Sequence, residues 1–144
     1  MRHWLYLRGS HEIRGAYSRQ WPSLVDNLGG KQYFALSGGP VRVIFFDCGE
    51  DKADSDKACS GPNDFAGFHR EQAEWLEQEI VKPEFTQAKY RVLVRHIPIY
   101  GLDPEWFNPW ATLWCPILNR AGFDLSIHGH KTMRPTLNAP LNII

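Results

Sequence analysis

What the chain lacks narrows its class before any motif is weighed. No apolar run in the 144 residues approaches the ~20 consecutive residues that span a bilayer. Charge of one sign is not in excess: Lys plus Arg and Asp plus Glu both total 16, so no global field draws the chain toward nucleic acid or an anionic membrane. Cysteine is scarce. Cys48, Cys59 and Cys115 are an odd number without metal-type spacing, which argues against a disulfide framework and a Cys-rich zinc site. Cys48 and Cys59 could pair under oxidising conditions, but free thiols are the reading. Internal repeats, low-complexity segments and a signal-peptide apolar region are also missing.

What is present is a hydrophobic content of 43%, enough for one globular domain with a true core. Trp4 to Leu7 reads as an apolar strand that runs directly into Arg8-Gly9-Ser10-His11-Glu12-Ile13-Arg14. Starting on a strand is unusual for a domain, and Met1 is expected to be an internal cut in a longer parent. Ala16 to Leu28 predicts a turn or two of helix inside a loop, interrupted by Pro22. Gln32–Leu36 and Val41–Phe46 predict a hairpin around Ser37-Gly38-Gly39-Pro40, its second strand buried on both faces. The acid-rich run from Asp47 to Lys57 reads as a solvated loop; it lacks the central Gly and terminal Glu of a calcium loop.

His69 to Val81 is the clearest helix, with Ala73, Leu76 and Ile80 on one stripe and Glu71 and Glu74 favoured by the N-terminal dipole. Tyr90–His96 predicts a strand. Trp110 to Ala121 predicts a helix that Pro116 kinks or restarts and Gly122 ends, and Phe123–Ile127 a last short strand. The order of strands and helices gives an α/β arrangement with helices covering sheet faces.

The chemistry gathers at strand ends. His11, His96 and His130 each follow a strand-like run. Imidazole is the commonest ligand for zinc-like metals and the commonest general acid–base, so three such placements predict one shared polar site. His128 is either a substitute ligand or an ordinary polar strand-end residue.

Gly9-Ser10-His11-Glu12-Ile13-Arg14, His96-Ile97-Pro98-Ile99-Tyr100 and Gly129-His130 resemble, in order and spacing, the later motifs of the calcineurin-like metallophosphoesterases. Val41 to Lys52 is similar to the strand and Asp-Cys-Gly-Glu-Asp loop of bacterial members. The resemblance implies an α/β fold of the metallophosphoesterase type: a β-sandwich flanked by helices (α/β/β/α), incomplete on its N-terminal side, with residues 1–144 as a single partial domain. It implies two divalent metal ions of the Mn, Fe or Zn type and a phosphate-ester substrate. Ser10, His96 and His130 would surround the second metal, and His11 would contact the phosphoryl group and protonate the leaving oxygen. Arg14 would hold phosphate or pair with Glu12 or another acid; Tyr100 would line the pocket or simply pack.

Departures from the family pattern set limits. Neither Asp-x-His nor Gly-Asp occurs in the 144 residues, so the bridging and first-metal carboxylates are missing. Ser10 stands in place of asparagine and Thr132 in place of the last histidine of Gly-His-x-His. At most one weak metal site is expected, with hydrolysis negligible for this chain. The enzyme reading expects the missing motifs upstream of Met1; the alternative is a non-catalytic fragment that serves binding or assembly. Self-association through exposed sheet edges is expected on either reading.

Overall fold

The computed structural model describes residues 5–14, 17–25, 27, 30–57, 63–99 and 110–130. Four strands, β1 (Phe34–Gly38), β2 (Val41–Phe46), β3 (Tyr90–Arg95) and β4 (Leu125–Ile127), form one open sheet in the order β1-β2-β3-β4. The first pair is antiparallel and the next two are parallel. Gly38 faces Val41 across the predicted hairpin, and the two-residue turn needs Gly39 at φ 57°, open to glycine, before Pro40. The parallel pairs require crossovers, which the helices supply.

Helix α1 (Trp21–Leu24), preceded by a 3-10 turn at Ser18–Gln20, is the expected interruption of the opening loop. Helix α2 (Phe65–Glu79) starts earlier than the apolar stripe alone predicts, because two acids outside the stripe cap it. Asp64 accepts from Gly67 N at 2.7 Å, and Asp54 accepts from Phe65 N and Ala66 N at 3.0 and 3.1 Å. Glu71 and Glu74 therefore lie beyond the first turn, and Glu71 instead takes the Tyr33 hydroxyl. After α3 (Pro83–Thr86), the predicted restart is realised as α4 (Trp110–Leu113) and α5 (Cys115–Ala121), with Pro116 in the first turn of α5 and Gly122 closing it.

Helices α2, α4 and α5 seal one face of the sheet. Ile44, Phe46 and Leu93 meet Leu76, Trp114 and Leu118 there, all at most 2% exposed. The other face is also apolar. Register aligns Leu36, Val43, Val92 and Leu125 in one row, and Phe34, Phe45, Val94 and Ile127 in the next. Leu125 and Ile127 remain 45% and 48% exposed. Among the described residues this single mixed sheet is the whole β-structure, which establishes the α/β class.

Two sequence readings change. Leu5 to Gly9 is not a strand: Tyr6 finds its backbone partners on a side chain, with Asn27 Oδ1 accepting from Tyr6 N at 3.2 Å and Asn27 Nδ2 donating to Tyr6 O at 2.9 Å. The acid run is not a solvated loop throughout. Asp47 and Glu50 are 0% and 1% exposed, and only Ser55 to Lys57 at its far end is open. Arginines from the opening segment, remote in sequence, neutralise the buried half.

Candidate functional site

The C-terminal ends of β2, β3 and β4 lie side by side because these strands are parallel, and open α/β sheets present their functional loops on that edge. Asp47 to Lys52 follows β2, His96 follows β3, and His128 to His130 follow β4. Main-chain bonds from Gly129 N and His130 N to His96 O, at 3.1 and 2.8 Å, tie the last two together. The turn Gly9–Arg14 covers the same edge, held by Glu12 N to Gly9 O at 3.3 Å and Arg14 N to His11 O at 3.2 Å.

Ser10, His96 and His130, drawn from three separate segments, meet. His130 Nδ1 stands 3.0 Å from His96 Nε2 and 3.3 Å from Ser10 Oγ. Ser10 is fully buried, while His96 and His130 are half-buried. His130 Nε2 lies 3.3 Å from Asp51 Oδ2. His11 is exposed on the turn and acts electrostatically on His96. Burial, and after it the neighbouring His130, pushes His96 below the usual imidazole range, favouring the neutral ring that ligation requires.

Gly9 packs tightly against this cluster: a Cβ there would fall 2.9 Å from His96 Nε2 and 2.8 Å from Glu12 Oε2, so the backbone approaches the imidazole this closely only as glycine. Two nitrogens ligating one tetrahedral ion at about 2.0–2.1 Å are separated by roughly 3.3 Å. The observed 3.0 Å between His96 Nε2 and His130 Nδ1 needs only slight widening to match. The spacing of the two imidazoles is thus close to what one cation would need, with only the Ser10 hydroxyl beside them. Among the described residues, no group of three or more His, Cys, Asp or Glu donors converges to hold a metal ion.

The other candidates fall differently. The Arg14 guanidinium pairs with an acid: Nε and Nη2 both donate to Glu50 at 2.6 Å, and Asp51 lies 3.6 Å away. Glu12 instead accepts from Gly9 N at 2.8 Å and from the Tyr6 hydroxyl at 3.3 Å. Arg8 pairs with Asp47, whose carboxyl burial pushes up and Arg8 pulls back. His128 is exposed, with Arg95 as its charged neighbour. Tyr100 and Thr132 lie outside the described residues, as does Cys59. Cys48 and Cys115 are free thiols, and burial pushes Cys48 up to about 12, too high for a nucleophilic thiolate.

The sequence reading missed Asp51. Burial is the largest influence on it and opposes ionisation, but contacts with Glu50, Lys52 and His130 outweigh burial and hold the carboxyl well below its usual range. The signal was present: Asp51 follows an apolar strand just as the histidines do. Its assignment to a solvated run hid it.

Comparison with protein-family models, curated proteins and solved structures gives no match. The functional reading therefore rests on motif order and on the geometry of this edge.

Proposed function

We propose that the chain carries part of a calcineurin-like metallophosphoesterase domain, retaining the second-metal side of a phosphoric-ester hydrolase site. The observation that carries this reading is the meeting of Ser10, His96 and His130 across 120 residues of chain. These positions are the ones that the motif resemblance assigns to one metal. In this reading His96 and His130 would hold one divalent cation, with Ser10 beside them. A bound divalent ion supplies a Lewis acid for the phosphoryl oxygens and acidifies bound water. His11, on the exposed turn, is the residue that would hand a proton to the leaving oxygen in a complete site. Arg14, occupied by Glu50, fixes the loop after β2 rather than the phosphate.

The apolar rows on the sheet face away from the helices support the finer fold reading. Leu36, Val43, Val92 and Leu125, with Phe34, Phe45, Val94 and Ile127, offer the surface on which a second sheet packs in an α/β/β/α sandwich. The same face and the edge strands β1 and β4 support self-association, which sedimentation at tens of micromolar would detect; a monodisperse monomer counts against it.

No Asp-x-His and no Gly-Asp is present, so the carboxylates that bridge two metals in the family have no counterpart here. Calorimetric titration with manganese or zinc is expected to show one weak binding event, abolished in His96→Ala. Phosphomonoester hydrolysis with added manganese, zinc or iron is expected to be negligible. Robust turnover that disappears in His11→Ala would overturn the inactive half of the reading. Unchanged cation binding in His96→Ala would overturn the site itself. The alternative, a non-catalytic binding or assembly module, is favoured by the missing carboxylates and expects no turnover under any metal.

A further inference from the structure

A histidine ligates through a nitrogen without a proton, and what the opposite nitrogen touches decides which one that is. At His130 the two nitrogens face unlike partners. Nε2 faces the Asp51 carboxylate at 3.3 Å; Nδ1 faces His96 Nε2 at 3.0 Å and Ser10 Oγ at 3.3 Å. An ionised carboxylate only accepts, so the proton in the first contact belongs to Nε2. In the neutral ring that leaves Nδ1 bare. It can take the hydroxyl proton of Ser10 or the Nε2 proton of His96.

Asp51 is itself held in place. Lys52 Nζ sits 2.9 Å from its Oδ1, its backbone N donates to Glu50 Oε1 at 3.0 Å, and Glu50 is clamped by both donors of Arg14 at 2.6 Å. The support runs from the opening turn through the loop after β2 to the loop after β4. Three segments that are remote in sequence thereby agree on one ring orientation.

We propose that Asp51 is a positioning residue for His130: by accepting from Nε2 it fixes the tautomer with bare Nδ1 and turns that nitrogen toward His96 and Ser10. The consequence for cation binding rests on the function proposed above; the tautomer itself does not.

The test uses the full chain labelled with ¹⁵N at histidine. Long-range proton–nitrogen correlation of the metal-free protein reads which nitrogen of each ring is bare. The expected result is a bare Nδ1 at His130, replaced in Asp51→Ala by a mixture of tautomers and restored in Asp51→Glu. Zinc titration by calorimetry is expected to weaken about 10–100-fold in Asp51→Ala, the usual effect of losing an outer partner of a ligating histidine. A bare Nε2 in the unmutated protein overturns the proposal, whatever the variants do. So does an unchanged tautomer in a folded Asp51→Ala. If the tautomer responds as expected but zinc binds none of the proteins, the positioning role stands and the metal reading of the site fails.

Discussion

The ends of β2 and of β3 with β4 lie on the same edge of the same sheet, and each passes from apolar residues into ionisable ones. They use those residues in opposite ways. After β2, Asp47 and Glu50 are buried and locked onto Arg8 and Arg14. After β3 and β4, His96 and His130 face each other and a serine, half-buried, with no arginine on them in the contacts above. The carboxylates are consumed as internal fasteners, whereas the imidazoles meet each other and a hydroxyl. Proximity to a strand end therefore marks a candidate, and partner chemistry decides between structure and reactivity.

The comparison breaks most readily at its fastened side. Arg14→Met leaves the Glu50 carboxylate, 1% exposed, without its bidentate partner, and a loss of about 3 kcal/mol is expected in urea unfolding. Arg14→Met with Glu50→Gln should recover part of that loss, since an amide tolerates burial better than a stranded charge. No recovery would show that Glu50 is not the reason Arg14 matters. Gly9→Ala probes the junction between the two sides. Its methyl would fall 2.9 Å from His96 Nε2, so a loss of about 2 kcal/mol and displaced His96 resonances are expected.

A third imidazole sharpens the contrast. His69 sits under the β2 end, 1% exposed, with Nε2 2.9 Å from Cys48 O and 3.0 Å from Trp110 Nε1. Burial lowers its proton affinity, against opposing contributions from the Cys48 carbonyl and Asp54. The unfolded chain then binds the proton more readily, so His69 makes stability fall as pH drops below the ordinary histidine value of about 6.5. Its share of the slope is at most about 1.4 kcal/mol per pH unit, and His69→Gln should flatten denaturation midpoints between pH 7 and 5. An equally steep profile in the variant would clear His69 of that role. The smallest effect belongs to the imidazole side: His130→Ala should change stability by less than about 1 kcal/mol, and on the function proposed above it removes cation binding. A large loss there would make His130 a fastener too.

What was legible in the sequence was local. The hairpin, the α2 stripe, the Pro116 restart and the Gly122 stop follow from periodicity and turn residues within a few positions of each other. The strand-end histidines were legible because they trail apolar runs. The burial of Asp47 and Glu50 was not, since their partners lie 39 and 36 residues away and no local pattern marks an arginine as inward-facing. The opening segment was misread for a related reason: aromatic alternation signals a strand, but a strand needs a neighbour, and the Tyr6 main chain pairs instead with the side chain of Asn27, 21 residues on.

Asn27 has a counterpart in Gln72, whose Oε1 accepts from Asp47 N at 3.1 Å and whose Nε2 donates to Asp47 O at 2.8 Å. Each carboxamide behaves as a one-residue splint, answering a peptide's donor and acceptor without any further β-ladder. Hydrolysis of either amide to an acid would set like against like at the carbonyl and keep the other half of the bond. Chemical ageing at two amides, neither of them touching Ser10 or the histidines in the contacts above, would thus loosen both the turn and the loop that aim them.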